Sequence, residues 1–368
     1  MREKLRFWMC QPGMLSAIAR VSLASFGLSL LSYIWYFVWG IAYLFVIHPA
    51  LPTIPRKTVE QFEEYAVISL PLGIVTEQKI FIFSILGMGL IALPTFLLIY
   101  LMTQRLEQRP LVSVGLAWGR RALKEFFSGL VLGLAVPSIG VLAGYWSGDL
   151  QITWNPTMLT PALIGWASLS ILGWLGVAYW EELYFRGYLL QTLISGLGII
   201  PAVLITALSF GLLHVTTYGI QPLLLLNVTF LGIILATLYL KTKSLWAPIG
   251  MHFANNFCIS HIFSMPIFDE MKMPIKVTTN GQPIHPEPLR LLWQVELPKA
   301  RGLADLYTLS DLPFTLIFVG LLVLLIWKLP LFRPHPEMEA LWQQYVPIAQ
   351  PWAQLKAWWA KRKNKARI

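Results

Sequence analysis

The chain has 368 residues, of which 56% are hydrophobic and 12% charged, about half the charged share of an average soluble domain. That balance excludes a water-soluble globule, a disordered chain and a collagen-like one, and it directs the excess apolar surface to lipid. The formal charge is +10, and two cysteines without a CxxC spacing, Cys10 and Cys258, exclude a disulfide framework and a cysteine zinc cage.

A transmembrane helix needs roughly 20 mainly apolar residues. Runs of that kind are predicted near Ser22 to Ile47, Ile80 to Met102, Phe126 to Trp146 and Pro161 to Leu193, then near Ile199 to Val215, Pro222 to Leu240, Leu245 to Phe263 and Leu312 to Leu331. The expected fold class is an all-α polytopic integral membrane bundle of about eight transmembrane helices. The first run is too long for a removable signal peptide and lacks a small-residue cleavage site, so it is expected to stay as an anchor.

Bases concentrate in alternate flanks. Arg2, Lys4, Arg6 and Arg20 precede the first span, Arg105, Arg109, Arg120, Arg121 and Lys124 follow the second, Lys241 and Lys243 follow the sixth, and Lys361, Arg362, Lys363, Lys365 and Arg367 lie in the tail. The Arg56–Lys57 loop carries more acids (Glu60, Glu63, Glu64, Glu77), and Ser147 to Thr160 carries no base. Both termini are therefore expected on the cytoplasmic side, of the plasma (inner) membrane if the source is bacterial. Bases placed this way serve as topology markers and lipid contacts, so the bilayer is an expected partner and nucleic acid is not.

The expected organisation is a basic N-terminal segment (1–21), N-terminal spans with loops (22–124), a core of spans (125–263), a polar far-side loop (264–311), a last span (312–331) and a basic tail (332–368). The loop is Pro-rich, with Pro274, Pro283, Pro286, Pro288 and Pro298. In the tail, Trp342, Tyr345, Trp352, Leu355 and Trp359 alternate with polar residues, a pattern that predicts a helix lying in the membrane interface.

Ionisable groups inside spans cost roughly 2.5 to 3.5 kcal/mol each at mid-helix, so they are paired or functional. The fourth run contains Glu181-Glu182-Leu183-Tyr184-Phe185-Arg186-Gly187. Glu182 and Arg186 are four apart and share a helical face, while Glu181 is rotated by about 100° and points elsewhere. In the next run Phe210 is followed four residues on by His214. A turn between Ser195 and Ile199 would bring Glu181 and His214 to one depth, each roughly 21 Å from that turn. His252 and Asn256, also four apart, share a face of the seventh run. Cys258 lies about 240° around that helix from His252 and is expected to pack as a small apolar residue. His48, His285 and His335 neighbour prolines and are expected at the surface, and His261 lies beyond Asn256 on the same helix.

These strings, Glu181-Glu182-x-x-x-Arg186, Phe210-x-x-x-His214 and His252-x-x-x-Asn256 in that order, resemble the three motifs of the CPBP family of CAAX prenyl endopeptidases and bacteriocin-processing (Abi) membrane proteases. Phe185-Arg186-Gly187 and Ser244-Leu245-Trp246-Ala247-Pro248 are similar to it as well, and the likeness spans about Leu130 to Ile259. The resemblance implies an intramembrane endopeptidase acting on a membrane-associated protein or peptide, including CAAX-type prenylated ends. It implies Glu181 as general base, His214 as its partner in activating water, Glu182 with Arg186 as a fixed pair, and His252 with Asn256 as oxyanion stabilisers. No cofactor is expected on this reading. Zinc or another divalent metal held by Glu181, His214 and His252 is the open alternative, although no HExxH string is present. A non-catalytic scaffold or immunity protein of the same fold, and a proton-coupled transporter, are the competing functions.

Overall fold

Helices follow the apolar runs, and the departures occur where particular residues interrupt a run. The computed structural model describes residues 13–47, 66–70, 77–154, 161–265, 275–279, 282–284, 290–296 and 312–348. Cys10, Arg2, Lys4, Arg6, His48, the Arg56–Lys57 loop with its acids Glu60, Glu63 and Glu64, His285, and the tail from Trp352 through Leu355 and Trp359 to Arg367 lie outside the described residues.

Helix α1 is Met14–Ile47, strand β1 Ala66–Leu70, α2 Glu77–Leu90 and α3 Ala92–Tyr100, which continues through a π turn, Leu101–Glu107. Then come α4 Arg120–Trp146, β2 Gln151–Trp154 and α5 Pro161–Glu182, which passes through a π segment, Leu183–Leu190, into α6 Gln191–Leu197. Helix α7 Ile199–Leu213 and the single turn α8 Val215–Tyr218 lead to α9 Pro222–Thr242 and to α10 Trp246–Phe257, extended by a π turn, Cys258–Ile262. Strands β3 Ile275–Thr279, β4 Gln282–Ile284 and β5 Trp293–Glu296 precede α11 Leu312–Lys328 and α12 Pro336–Tyr345.

Five helical segments among the described residues are long and apolar enough to cross a membrane: Met14–Ala42, Phe81–Glu107, Arg120–Trp146, Ile199–Tyr218 and Pro222–Thr242. The other three expected spans are helical as well: α5 has 22 residues before its π segment, α10 has 12 and α11 has 17. The molecule is thus an all-α membrane bundle, with strands confined to short stretches of its connections. Helix α1 begins at Met14 rather than Ser22, which places Arg20 inside it. The second run breaks between Leu90 and Ala92, because the ring of Pro94 crowds the Leu90 carbonyl and its nitrogen has no hydrogen to donate.

Two close helix contacts position the helices that matter below. At Gly129 and Gly133 of α4 an added Cβ would overlap the carbonyls of Ala247 and Met251, and at Gly250 of α10 it would overlap that of Phe126. Helices α4 and α10 therefore touch backbone to backbone, the packing that membrane helices achieve with small residues. Gly89 of α2 meets Gly173 and Gly176 of α5 in the same way.

The connections sort by end. Strand β1 pairs in parallel with β3, β3 pairs with β4 antiparallel, and β2 pairs antiparallel with β5. The loops expected to share the far side therefore meet one another, and the 264–311 segment is partly strand, helped by the β-branched run Ile275-Lys276-Val277-Thr278-Thr279. At the other end, the Leu245 amide donates to the Gly115 carbonyl at 3.0 Å and Trp246 Nε1 donates to the Ala117 carbonyl at 2.7 Å. Helix α12 docks there. Its Trp342 is 5% exposed, meets Tyr239 edge-on at 5.6 Å and receives Lys243 Nζ 4.2 Å from its ring centroid. Burial pushes the Lys243 ammonium below the ordinary lysine range, and Glu339 offsets part of that shift. Trp342 is thus turned into protein rather than into the membrane interface expected of it.

Candidate active site

Glu181 and Glu182 close α5 at the point where the helix widens into its π segment, a feature that often marks functional positions. Arg186, within that segment, donates from Nη1 to Glu182 Oε1 at 2.7 Å and from Nη2 to the Gly232 carbonyl of α9 at 3.2 Å. Its guanidinium carbon lies 4.4 Å from the centroid of the Phe210 ring. Glu182 is 0% and Arg186 1% exposed, so this pair fixes α5 to its neighbours away from water. His252 Nδ1 donates to the same Glu182 oxygen at 2.9 Å. Glu182 is thereby a junction between α5 and α10.

Glu181 has a different environment one residue away. Its Oε2 accepts no hydrogen bond and stands 3.7 Å from His252 Nε2, within ion-pair reach. His214 caps the C-terminus of α7. Its Nδ1 lies 2.9 Å from the Phe210 carbonyl. A carbonyl can only accept, so Nδ1 carries the proton and Nε2 is the acceptor of the neutral ring. The ring stacks on Tyr218 at 6.2 Å with 8° between planes. Phe210 meets His214 at 5.0 Å, Phe185 at 5.2 Å and His252 at 5.7 Å. A phenylalanine four residues before His214 is therefore the apolar post against which the arginine and both imidazoles are set.

A cavity of about 100 Å³ is bordered by Glu181, His214 and Asn256, together with Tyr36, Trp180 and Tyr218. Asn256 Oδ1 accepts from Asn255 Nδ2 at 3.4 Å, which leaves the Nδ2 of Asn256 to donate elsewhere. Of the six residues singled out in the sequence, three border the cavity and three stand behind it. His252 was expected to face it beside Asn256. The ring is instead enclosed between the two glutamates, because a carboxylate as buried as Glu182 requires hydrogen-bond donors.

Tyr36 and Trp180 are among the lining residues that the motifs did not single out. Tyr36 arrives from α1, in an aromatic stretch (Tyr33-Ile34-Trp35-Tyr36-Phe37) where no motif distinguishes it. Trp180 adjoins Glu181 in the motif, and its Nε1 has no hydrogen-bond partner, a polar function easily missed in a residue read as apolar. Cys258 packs among Val141, Leu150, Phe263 and Val295 and does not border the cavity. His261 pairs with Ser170 Oγ and meets Phe81 edge-on, also off the cavity. His335 accepts the Glu337 amide at the start of α12. Among the described residues no group of three or more His, Cys, Asp or Glu is placed to hold a metal ion. Glu181, His214 and His252, the set named for zinc, are not among such groups.

Comparison with family models matches residues 163–258 to Type II CAAX prenyl endopeptidase Rce1-like proteins. The match covers about a quarter of the chain and includes Glu181, Glu182, Arg186, His214, His252 and Asn256, while Tyr36 lies outside it. Comparison with curated proteins gives no match, and neither does comparison with solved structures. Residues 163–258 of this integral membrane protein thus match the Rce1-like family model, which supports the CPBP resemblance carried by the three motifs.

Proposed function

We propose that the chain is an endopeptidase that hydrolyses a peptide bond in a membrane-associated protein or peptide, with prenylated CAAX ends as the substrate class its family points to. The observation that carries this reading is the single cavity bordered by the Glu181 carboxylate, the His214 imidazole and the Asn256 amide. Water held between Glu181 and His214 Nε2 attacks the scissile carbonyl carbon, and its proton passes to Glu181. The oxyanion of the tetrahedral intermediate receives a hydrogen bond from Asn256 Nδ2. Glu181 then returns the proton to the leaving amine as the C–N bond breaks. Glu182, Arg186 and His252 are positioning residues: the salt bridge and the Nδ1 hydrogen bond direct His252 Nε2 at Glu181.

For orientation, the end that carries Arg105, Arg120, Lys241, Lys243, the start of α1 and helix α12 is assigned to the cytoplasm. The excess of bases supports this, as does the pairing of the base-poor loops with one another at the opposite end.

The test is cleavage of membrane-tethered reporter peptides, prenylated and unmodified, by the purified chain in lipid nanodiscs. Glu181→Gln and His214→Ala are each expected to lower turnover by about 10²-fold or more with helical content unchanged. Full turnover in both variants would overturn the mechanism. Loss of turnover on chelation, restored by zinc, would transfer the activation of water to a metal.

A further inference from the structure

A second buried group of charges lies at the end of the bundle where α1, the π turn after α3, and α6 converge. Arg20 and Arg109 are 7% and 4% exposed, although both read in the sequence as bases flanking spans. Glu107 accepts from Arg20 Nη1 at 3.3 Å, from Arg109 Nε at 2.5 Å and from the Tyr188 hydroxyl at 2.7 Å. Arg20 Nη2 donates to Ser195 Oγ, and Arg109 Nη1 donates to Ser113 Oγ and Gln191 Oε1. Among the described residues, the cluster holds two guanidinium charges against one carboxylate. Buried charge left unbalanced in this way is costly and calls for a counter-ion.

The same side chains open onto a cavity of about 70 Å³, bordered also by Thr192, Tyr345 and Pro347. About 10–15 Å³ on this measure holds one water, so the space admits a group the size of a tetrahedral oxyanion. Thr192 is 2% exposed, and its Oγ1 has no hydrogen-bond partner. Thr103, Thr206 and Thr237 show the usual alternative, each hydroxyl donating to the carbonyl four residues earlier. Thr192 does not take it.

We infer that this cavity binds a phosphate-bearing anion, either the phosphate of an acidic lipid headgroup or free inorganic phosphate. Two guanidinium groups set around one space match the fork geometry by which arginine holds tetrahedral oxyanions. Pro347 is followed in sequence by a tail with Lys361, Arg362, Lys363, Lys365 and Arg367, a composition that attracts acidic headgroups. This site is separate from the Glu181 cavity and does not depend on proteolysis.

The experiment follows thermal unfolding of the full chain by tryptophan fluorescence in nanodiscs. One arm titrates inorganic phosphate against chloride at constant ionic strength in phosphatidylcholine discs; the other raises the fraction of phosphatidylglycerol. A saturable rise in midpoint is expected in at least one arm, the lipid arm alone identifying a headgroup and the phosphate arm identifying the free ion. Thr192→Val removes a hydroxyl that has no protein partner, so it is expected to leave the ligand-free midpoint unchanged while raising half-saturation about five-fold. Arg109→Lys keeps the charge but loses the fork and is expected to weaken saturation at least as much. No saturable rise in either arm, or a rise that both variants reproduce in full, would overturn the inference.

Discussion

Glu181 and Glu182 are the same residue type in adjacent positions, and the fold gives them different surroundings. Glu182 receives Arg186 and His252 on one oxygen and stands off the cavity, whereas Glu181 borders the cavity. A 100° step along the helix separates them, so this division was legible from the spacing of the motif. The orientation of His252 was not, because spacing gives a face and not the partner for which a ring competes. Asn256 is left as the amide donor beside the cavity, and Asn256→Ala is expected to lower kcat by about 10²-fold with KM little changed. Steady-state kinetics on the reporter peptide would check this, and an effect on KM alone would remove Asn256 from the transition state.

At the scale of elements, the interruptions matter more than the regular stretches. The π segment after Glu182 and the stop of α7 at His214 each fall where a motif residue must face the cavity. Periodicity located the helices because apolar runs of sufficient length are unambiguous, but it could not show that α1 starts early enough to bury Arg20. Nor could it show that α12 packs on protein. Trp342 alternates with polar neighbours as an interfacial helix would, and it is the contact with Tyr239 and Lys243 that encloses it. Trp342→Ala is expected to cost about 3–5 kcal/mol and to release α12. Limited proteolysis would then cut near Tyr345 at protease levels that leave the parent chain intact; equal resistance would mean that α12 is held by other contacts.

For the whole molecule, the paired strands at one end and α12 with the 115–117 turn at the other imply opposite sides of the membrane for Ser147 and Glu337, both exposed. In a chain lacking Cys10 and Cys258, Ser147→Cys and Glu337→Cys are expected to react with an impermeant thiol reagent from opposite faces of sealed vesicles. Labelling of both from one face would overturn the topology. Taken alone, the sequence determined the solvent, the helical class, the three motifs and the pairing of Glu182 with Arg186, since each follows from composition or from spacing within one helix. Tertiary structure alone decided that Tyr36 of α1 joins Glu181, His214 and Asn256 around one cavity, that His252 turns to the glutamates, and that Arg20 and Arg109 are buried together. Those outcomes depend on contacts between residues far apart in the chain, where burial makes each charge take whichever partner the packing brings within reach.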